Sequence, residues 1–386
     1  MPAISFNKYR FPLRQDNQFE LLVDGDCYFT RMLDAIAKAR SSVLMEQYLV
    51  TSCQITDRFI EQFIQATTRG VAVYLLLDDY GASGLSRKDR QRLQQAGVHL
   101  CFYNPVHFKR FFNSLFRNHR KIFIVDGELA FTGGAGLTDE FSQQMHGKLA
   151  WHDVMLAIWG PVVEDWCALF QQTWVKHSKQ ELEQPLPSSS PAGGDQAGRV
   201  LAANPLRRQE INQALIKQLR RACARAWITS PYFVPSRKIR RVLRQTARRG
   251  IDVRLLLPGR FSDHPWISFA ARRHYSRLLH SGIRIFEYQP SFIHAKINLC
   301  DDWVSIGSSN LDRWNQHWNL DANQAIYNPK LATEVASLFQ EDFAKSVEIN
   351  LEEWKRRPWL ARLRERLSGR LVAWLENIMR ARRDRR

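Results

Sequence analysis

Apolar residues recur along this chain in two alternating rhythms. Stretches such as "FTRMLDAIAKAR" (29–40) and "INQALIKQLRRACARA" (211–226) carry them at intervals of three and four, the spacing of one helical face. Between them lie short runs rich in Leu and β-branched residues, "VAVYLLLDD" (71–79) and "IDVRLLLPG" (251–259). Each has Gly before it and Gly or Pro after it, as a buried strand does. Alternating strands and helices predict an α/β sandwich, a mostly buried sheet flanked by helices.

The alternation also repeats. "TTRGVAVYLLLDDYGAS" (67–83) matches "ARRGIDVRLLLPGRFSD" (247–263), and "AGVHLCFYNP" (96–105) matches "SGIRIFEYQP" (281–290). "SSVLMEQYLV" (41–50) matches "AWITSPYFVP" (226–235), each after a basic helical stretch. A recurring order of this kind marks a duplicated unit. "QPLPSSSPAGGDQAG" (184–198) is rich in Pro, Ser and Gly and reads as the linker. The expected organisation is a first unit at 1–183, a second at 199–345 and a basic tail at 346–386. The 386 residues suffice for two cores of ordinary size.

Composition narrows the class. The longest apolar candidate, "VMLAIWGPVVEDWCALF" (154–170), is broken by Gly160, Pro161, Glu164 and Asp165, so no transmembrane helix is expected. The N-terminus lacks a signal-peptide core. The six cysteines are dispersed without a Cys-x-x-Cys pair, which suits reduced thiols better than a disulfide frame or zinc site. A net charge of +18 calls for an anionic partner, and charge by itself does not choose between nucleic acid and acidic lipid.

The chemistry sits in two related segments, "NHRKIFIVDG" (118–127) and "FIHAKINLCDD" (292–302). Each reads most simply as a strand, on which residues two apart share a face. His119 and Lys121 then point one way, as do His294 and Lys296. Asp126 and Asp301 fall on the other face or in the turn, and "VDGE" is a tight-hairpin signature, so their spacing gives them a structural role. One His-Lys pair on a strand would ordinarily be structural. Two, at matching points of a duplicated fold, can meet at a pseudo-twofold seam. Two imidazoles and two ammonium groups suit a phosphodiester. One neutral histidine attacks phosphorus to give a phosphohistidine, and the other exchanges a proton with the alcohols. The lysines stabilise charge on the non-bridging oxygens. This scheme needs no metal or other cofactor, and no ligand cluster with convincing spacing stands out. The histidines must hold opposite protonation states, so their surroundings should drive their pKa values apart. Asp153 in "WHDVMLAI" and Asp321 in "NLDANQAI" are candidate orienters, each opening a strand-like run beyond its own histidine. The small residues of "FTGGAGLTDEF" (131–141) and "SIGSSNLDRWN" (305–315) can admit phosphate oxygens, with Gly134, Ser308, Ser309 and Asn310 as the binding candidates.

These residues resemble the phospholipase D superfamily, whose signature is His-x-Lys-x4-Asp followed by a Gly-Gly or Gly-Ser turn. "HRKIFIVDGELAFTGG" fits it directly, and "HAKINLCDDWVSIGSSN" fits with one residue fewer before Gly307. The likeness runs from about residue 20 to 345. The "GGAGLTDEF", "WHD", "SPYFVP" and "GSSNLD" segments look most like bacterial cardiolipin synthases, of the branch without N-terminal transmembrane helices. The resemblance implies transfer of a phosphatidyl group through a histidine to the hydroxyl of phosphatidylglycerol. It implies His119 as nucleophile and His294 as general acid/base; the residues by themselves fix the pair and not the order. It also counts Asp126 and Asp301 among the catalytic residues. Asp321 stands where relatives carry a glutamate orienting the second histidine, and Gly136 stands where the first motif usually has asparagine.

Two segments favour lipid over nucleic acid as partner. In "VHFKRFFNSLFR" (106–117), Phe108, Phe111, Phe112, Leu115 and Phe116 share a helical face edged by cations. In the tail, Leu360, Leu363, Leu367, Leu371, Trp374 and Ile378 form an apolar stripe, and from Leu351 onward twelve Lys/Arg stand against five Asp/Glu. Basic amphipathic helices of this kind lie on anionic bilayers. The expected partners are therefore phosphatidylglycerol, cardiolipin and a membrane surface, with phosphatidylethanolamine as another donor. The expected place is the cytoplasmic face of the bacterial inner membrane. No aromatic-basic stripe tracks a nucleic-acid strand, so nucleic acid is not an expected partner. A hydrolase or nuclease using the same site, and a silent lipid-binding scaffold, are the alternatives.

Overall fold

The computed structural model describes residues 9–106, 113–183, 193–204, 208–359 and 367. Seven strands build the first unit: β1 (Arg14–Val23), β2 (Ser42–Gln47), β3 (Ala72–Asp78), β4 (His99–Tyr103), β5 (Ile122–Val125), β6 (Leu129–Gly133) and β7 (Val154–Trp159). Seven build the second: β8 (Gln196–Asn204), β9 (Arg225–Thr229), β10 (Asp252–Pro258), β11 (Arg284–Tyr288), β12 (Ile297–Cys300), β13 (Trp303–Gly307) and β14 (Asn319–Tyr327). The spatial order is β4-β3-β2-β5-β6-β7-β1 in one sheet. In the other it is β11-β10-β9-β12-β13-β14-β8. Each strand thus has its counterpart seven further on, with the same neighbours and directions. The duplicated α/β fold is real, and β1 pairs with β8 to join the sheets.

Six of the helices obey the same correspondence, three apart. They are α1 (Gly25–Lys38), α2 (Gln54–Thr68), α3 (Val162–Ser178), α4 (Glu210–Arg221), α5 (Arg237–Arg248) and α6 (Pro329–Ala344). Ser236 caps α5 by accepting from the Ile239 N–H, and Asn328 caps α6 with Pro329 at its first turn. After α2 and α5 the chain turns through Gly70 and Gly250, at φ 84° and 87°, which residues with a Cβ rarely adopt.

Period-two alternation divides the strands between three apolar layers. On β7, Val154, Leu156 and Ile158 face a central core, while Met155 and Ala157 face the outer core of the first unit. On β9, Trp227 faces the centre while Ala226 and Ile228 face the outer core of the second unit. The central core also takes Trp166, Phe170 and Trp174 of α3 and Val335 and Phe339 of α6. Each such side chain contributes roughly 1.5–3 kcal/mol by leaving water. The two units therefore share one interior, and Trp166 Nε1 donates across it to Gln324 Oε1 at 2.9 Å.

Two expected boundaries move. The second unit starts at Gln196, inside the stretch read as linker, because β8 completes the sheet edge beside β14. It also continues past 345. Residues Ser346–Glu348 pair antiparallel with β11, covering an edge that would otherwise be open, and Trp354 stacks on Tyr275. Residues 184–192 of the linker, Phe108, Phe111 and Phe112, and the tail stripe apart from Leu367 lie outside the described residues. Of the insertion's other apolar residues, Phe116 packs on Trp318 at 5.0 Å between ring centres. Among the described residues no helix is long and apolar enough to cross a membrane.

Candidate active site

His119 and His294 do not lie within strands. Each sits in the extended lead-in to its strand, β5 or β12, and that lead-in pairs with the other unit. Asn118 lies beside Leu320 in a short parallel ladder, and the His119 N–H donates to the Leu320 carbonyl at 2.9 Å. In mirror fashion, the His294 N–H donates to the His152 carbonyl at 2.8 Å, and the His152 N–H to the Phe292 carbonyl at 2.9 Å. Strand pairing thus carries each histidine to the start of the opposite unit's seventh strand.

This crossing decides which carboxylate meets which histidine. His119 Nδ1 lies 2.9 Å from Asp321 Oδ1, and His294 Nδ1 lies 2.7 Å from Asp153 Oδ2. The expectation that Asp321 holds His294 and that each aspartate serves its own unit is therefore wrong. Register within one unit could not reveal a partner delivered by the other. With Nδ1 occupied, His119 leaves Nε2 for chemistry, while His294 Nε2 lies 3.1 Å from Lys296 Nζ.

Lys121 Nζ donates to the His119 carbonyl at 2.7 Å and lies 5.2 Å from the centre of the Tyr48 ring. Lys296 Nζ lies 2.9 and 3.1 Å from the two ring nitrogens of His294. All four groups are buried. Burial, then the Lys121 ammonium, pushes His119 down to about 4. Burial and Lys296 do the same to His294. The expected divergence of the two histidines is overturned, because near-identical surroundings lower both. Burial, and then the facing Lys296, lowers Lys121 to about 7, and burial lowers Lys296 to about 8. Burial pushes Asp153 and Asp321 up, but their cationic and imidazole partners outweigh it and hold both below the ordinary range. At neutral pH the site holds two carboxylates and two neutral rings that donate Nδ1–H to them.

Asp126 and Asp301 are elsewhere. The Asp126 carboxylate accepts the N–H groups of Arg40, Ser41 and Ser42, and Asp301 accepts those of Cys223, Ala224 and Arg225. Both sit in hairpin turns at φ 54° and 49° and pin the entry to β2 or β9. Their place on the far side of the strand makes them structural, which corrects their inclusion among the catalytic residues.

The turn residues divide similarly. A Cβ on Gly134 would stand 2.4 Å from Asp153 Oδ2, so this glycine makes room for the carboxylate. Gly134→Ala is expected to displace Asp153, lowering turnover at least ten-fold and stability by about 1–3 kcal/mol. Paired initial-rate and thermal-melting measurements check this. At the matching point Ser308 donates to Asp321 Oδ1 at 2.8 Å, making it a support of the carboxylate and not a phosphate ligand. The Ser309 N–H is taken up by Asn323 Oδ1 at 3.2 Å. Asn310 is buried with an unpartnered Oδ1, a polar atom left over at the turn. Its counterpart Gly136 cannot carry a side chain, since a Cβ there would meet that of Leu49 at 2.8 Å.

Sequence reasoning missed several neighbours. Tyr48 packs edge-on to His119, while Phe141, Trp151 and Phe292 enclose His294. Beneath His119, Arg117 pairs with Asp78 at 3.2 Å, and Asn118 donates to Glu46 Oε1 at 2.7 Å. His152, next to Asp153, is clamped between Asp24 at 2.7 Å and Asp342 at 3.0 Å. The adjacent "HD" pair was a signal that could have drawn notice to it. Among the described residues no group of His, Cys, Asp and Glu is arranged to hold a metal ion.

Two phospholipase D-type half-sites, crossed over a shared interior, define the class. The family model described as cardiolipin synthase, PLD-like domain, matches residues 32–174 and 215–343. The chain is 33% identical over 367 residues to cardiolipin synthase A of Pseudomonas fluorescens strain Pf-5, covering 94% of this chain and 76% of that one. It is 31% identical over 360 residues to cardiolipin synthase of Halalkalibacterium halodurans, covering 92% and 71%. The chain belongs to this cardiolipin synthase family of PLD-like proteins. In fold it is similar to phosphatidylserine synthase of Haemophilus influenzae, with TM-score 0.70 at 12% identity over 96% of both chains.

Proposed function

We propose that this protein is a cardiolipin synthase-type transphosphatidylase that moves a phosphatidyl group to phosphatidylglycerol through a phosphohistidine. The observation that carries this reading is the crossed pair of Asp–His couples, each holding its histidine by Nδ1 and each with a lysine beside it. His119 Nε2 attacks phosphorus of the donor lipid, forming a P–N bond as the P–O bond to the head-group alcohol breaks. His294 gives that alcohol a proton. It then takes one from the hydroxyl of phosphatidylglycerol, which attacks phosphorus and releases His119. The order of the two histidines follows the family resemblance. Both rings start neutral, so the acid must gain its proton when the anionic substrate binds and favours the charged ring. Lys121 and Lys296 stabilise the charge on the non-bridging oxygens. The donor is phosphatidylglycerol, with phosphatidylethanolamine as an alternative, and the enzyme works as a peripheral protein at the cytoplasmic face of the membrane.

Incubation with head-group-labelled phosphatidylglycerol tests the reading. Cardiolipin and glycerol are expected in equal amounts. Phosphatidic acid as the sole lipid product would replace it with a hydrolase, and cleavage of DNA without any lipid product would replace it with a nuclease.

The pH profile follows from the lowered pKa values. Nucleophilic His119 is deprotonated above about 4, but the acid His294 has also lost its proton there and must take one up, so kcat/KM should already be falling with rising pH at pH 6. Loss of the Lys121 proton from about 7 upward should then lower it. A fall in kcat/KM between pH 7 and pH 5, with no decline toward pH 9, would contradict these assignments.

A further inference from the structure

An in-line displacement gives the two histidines opposite sides of phosphorus. With His119 attacking from one side, the head-group alcohol leaves, and the acceptor arrives, on the side of His294. The walls beside His294 therefore govern which alcohol reaches the phosphohistidine.

Those walls differ from the ones beside His119. Trp151 and Phe292 stand two residues before Asp153 and His294, and their rings meet edge-on at 5.0 Å. Both pack on the His294 ring, at 5.4 and 5.7 Å between centres. The matching positions before Asp321 and His119 hold Asn319 and Arg117, which pair in register. Tyr232, one before the paired Phe233, likewise stands where the first unit has Leu49, one before the bridged Val50. Since the first unit folds without these rings, the shared fold does not require them.

The rings continue outward from His294. Tyr232 lies 6.5 Å from Phe292, His264 lies 5.7 Å from Tyr232, and Trp266 lies 6.0 Å from His264. Along this series the side chains pass from interior to surface. Phe292 is 3% exposed, Tyr232 is half-buried and Trp266 is 46% exposed. One carboxylate flanks the series. The Tyr232 hydroxyl donates to Asp263 Oδ2, and His264 Nε2 lies 3.8 Å from that same oxygen. Asp263 Oδ1 accepts from no described residue, and the side chain stays partly open to solvent. Aromatic faces with a fixed polar group at their edge suit a small polyol: the rings cover its C–H groups and the carboxylate accepts a hydroxyl.

We infer that the wall formed by Phe292, Tyr232, Asp263 and Trp266 receives the alcohol of the reaction, holding the glycerol head group of the acceptor lipid and keeping water from the phosphohistidine. The inference rests on the function and the order of histidines proposed above. Two fates then compete for one intermediate. In each, the P–N bond to His119 breaks as an oxygen bonds to phosphorus and gives its proton to His294. Phosphatidylglycerol yields cardiolipin, and water yields phosphatidic acid.

The ratio of these two products is the test, because inactive molecules add to neither. In the full-length protein, Tyr232→Leu should lower the ratio of cardiolipin to phosphatidic acid roughly ten-fold or more. Val347→Ser, an exposed change on the strand after α6, should leave it unaltered. Calorimetry with glycerophosphoglycerol should show binding weakened about ten-fold by Tyr232→Leu and by Asp263→Ala, and not by Val347→Ser. Asp263→Asn, which still offers hydrogen bonds to a hydroxyl, should recover part of it, and matching melting curves establish that the variants fold. An unchanged product ratio in Tyr232→Leu overturns the proposal, as does equal binding by all the proteins or none by the unmodified one. Tighter binding of glycerophosphoethanolamine, lost in Asp263→Asn, would make this an ammonium site and overturn the polyol assignment. If the unmodified protein turns over no lipid, the proposed function fails while calorimetry still decides what this wall binds.

Discussion

His119→Ala and His294→Ala should each lower transphosphatidylation by roughly three to five orders of magnitude, because one removes the nucleophile and the other the proton carrier. The two losses become distinguishable with a donor whose leaving group is a nitrophenolate, which departs without a proton. On that donor His294→Ala should still accumulate a covalent phosphatidyl-enzyme, stalled because no base activates the acceptor. His119→Ala should accumulate none. The reverse pattern would exchange the two roles, and substantial turnover by either variant on natural lipid would end the two-histidine mechanism. Cys300, buried on β12 within the same motif, provides the control: Cys300→Ala should retain activity.

The largest effect on stability is expected at His152. Its ring is buried, and it bridges Asp24 of the first unit to Asp342 of the second. Burial by itself would push its pKa down, but the two carboxylates outweigh this and raise it to about 10. A pKa raised from about 6.5 means that the clamp contributes fully below pH 6.5 and fades as the pH climbs to 10. His152→Ala leaves a buried carboxylate without its cation and should cost about 3–5 kcal/mol. Urea unfolding at pH 6.5 and pH 9.5 checks both points. The wild type should lose more stability than the variant over this interval, and equal losses would exclude a charged ring. The clamp reaches the site through the backbone. The His152 carbonyl receives the His294 N–H, and the Asp24 N–H holds the Asp153 carbonyl at 2.9 Å. Asp24 itself sits at φ 64°, a strained position for a residue other than glycine, and its two bonds keep it there.

Much of the architecture was legible because duplication prints each element twice. The Leu-rich runs at 71–79 and 251–259 became the third strand of each sheet, and each His-x-Lys segment meets an aspartate of the other unit. What escaped depended on contacts between the units. Asp321 lies 202 residues from His119, and no periodicity within either copy announces that pairing. The same blindness applied to His152, whose two carboxylates come from distant segments. Asp126 and Asp301 mislead in the opposite direction. They belong to the recurring pattern for the sake of a turn, so recurrence marks them as strongly as the residues that react. Ser308 was read as a phosphate ligand because a hydroxyl in a tight turn has that option; its actual partner is a carboxylate thirteen residues later.

The reciprocal loan of aspartates has an evolutionary corollary. Before the gene doubled, a solitary half would have possessed a histidine and a lysine with nothing to steer the imidazole. It would have gained that help by meeting its own twin. Fusion made the partnership permanent, and permanence allowed the halves to diverge, as Arg313 standing where the first unit has Asp139 attests. Cutting the present chain between its halves should therefore yield two inert fragments that regain function on mixing.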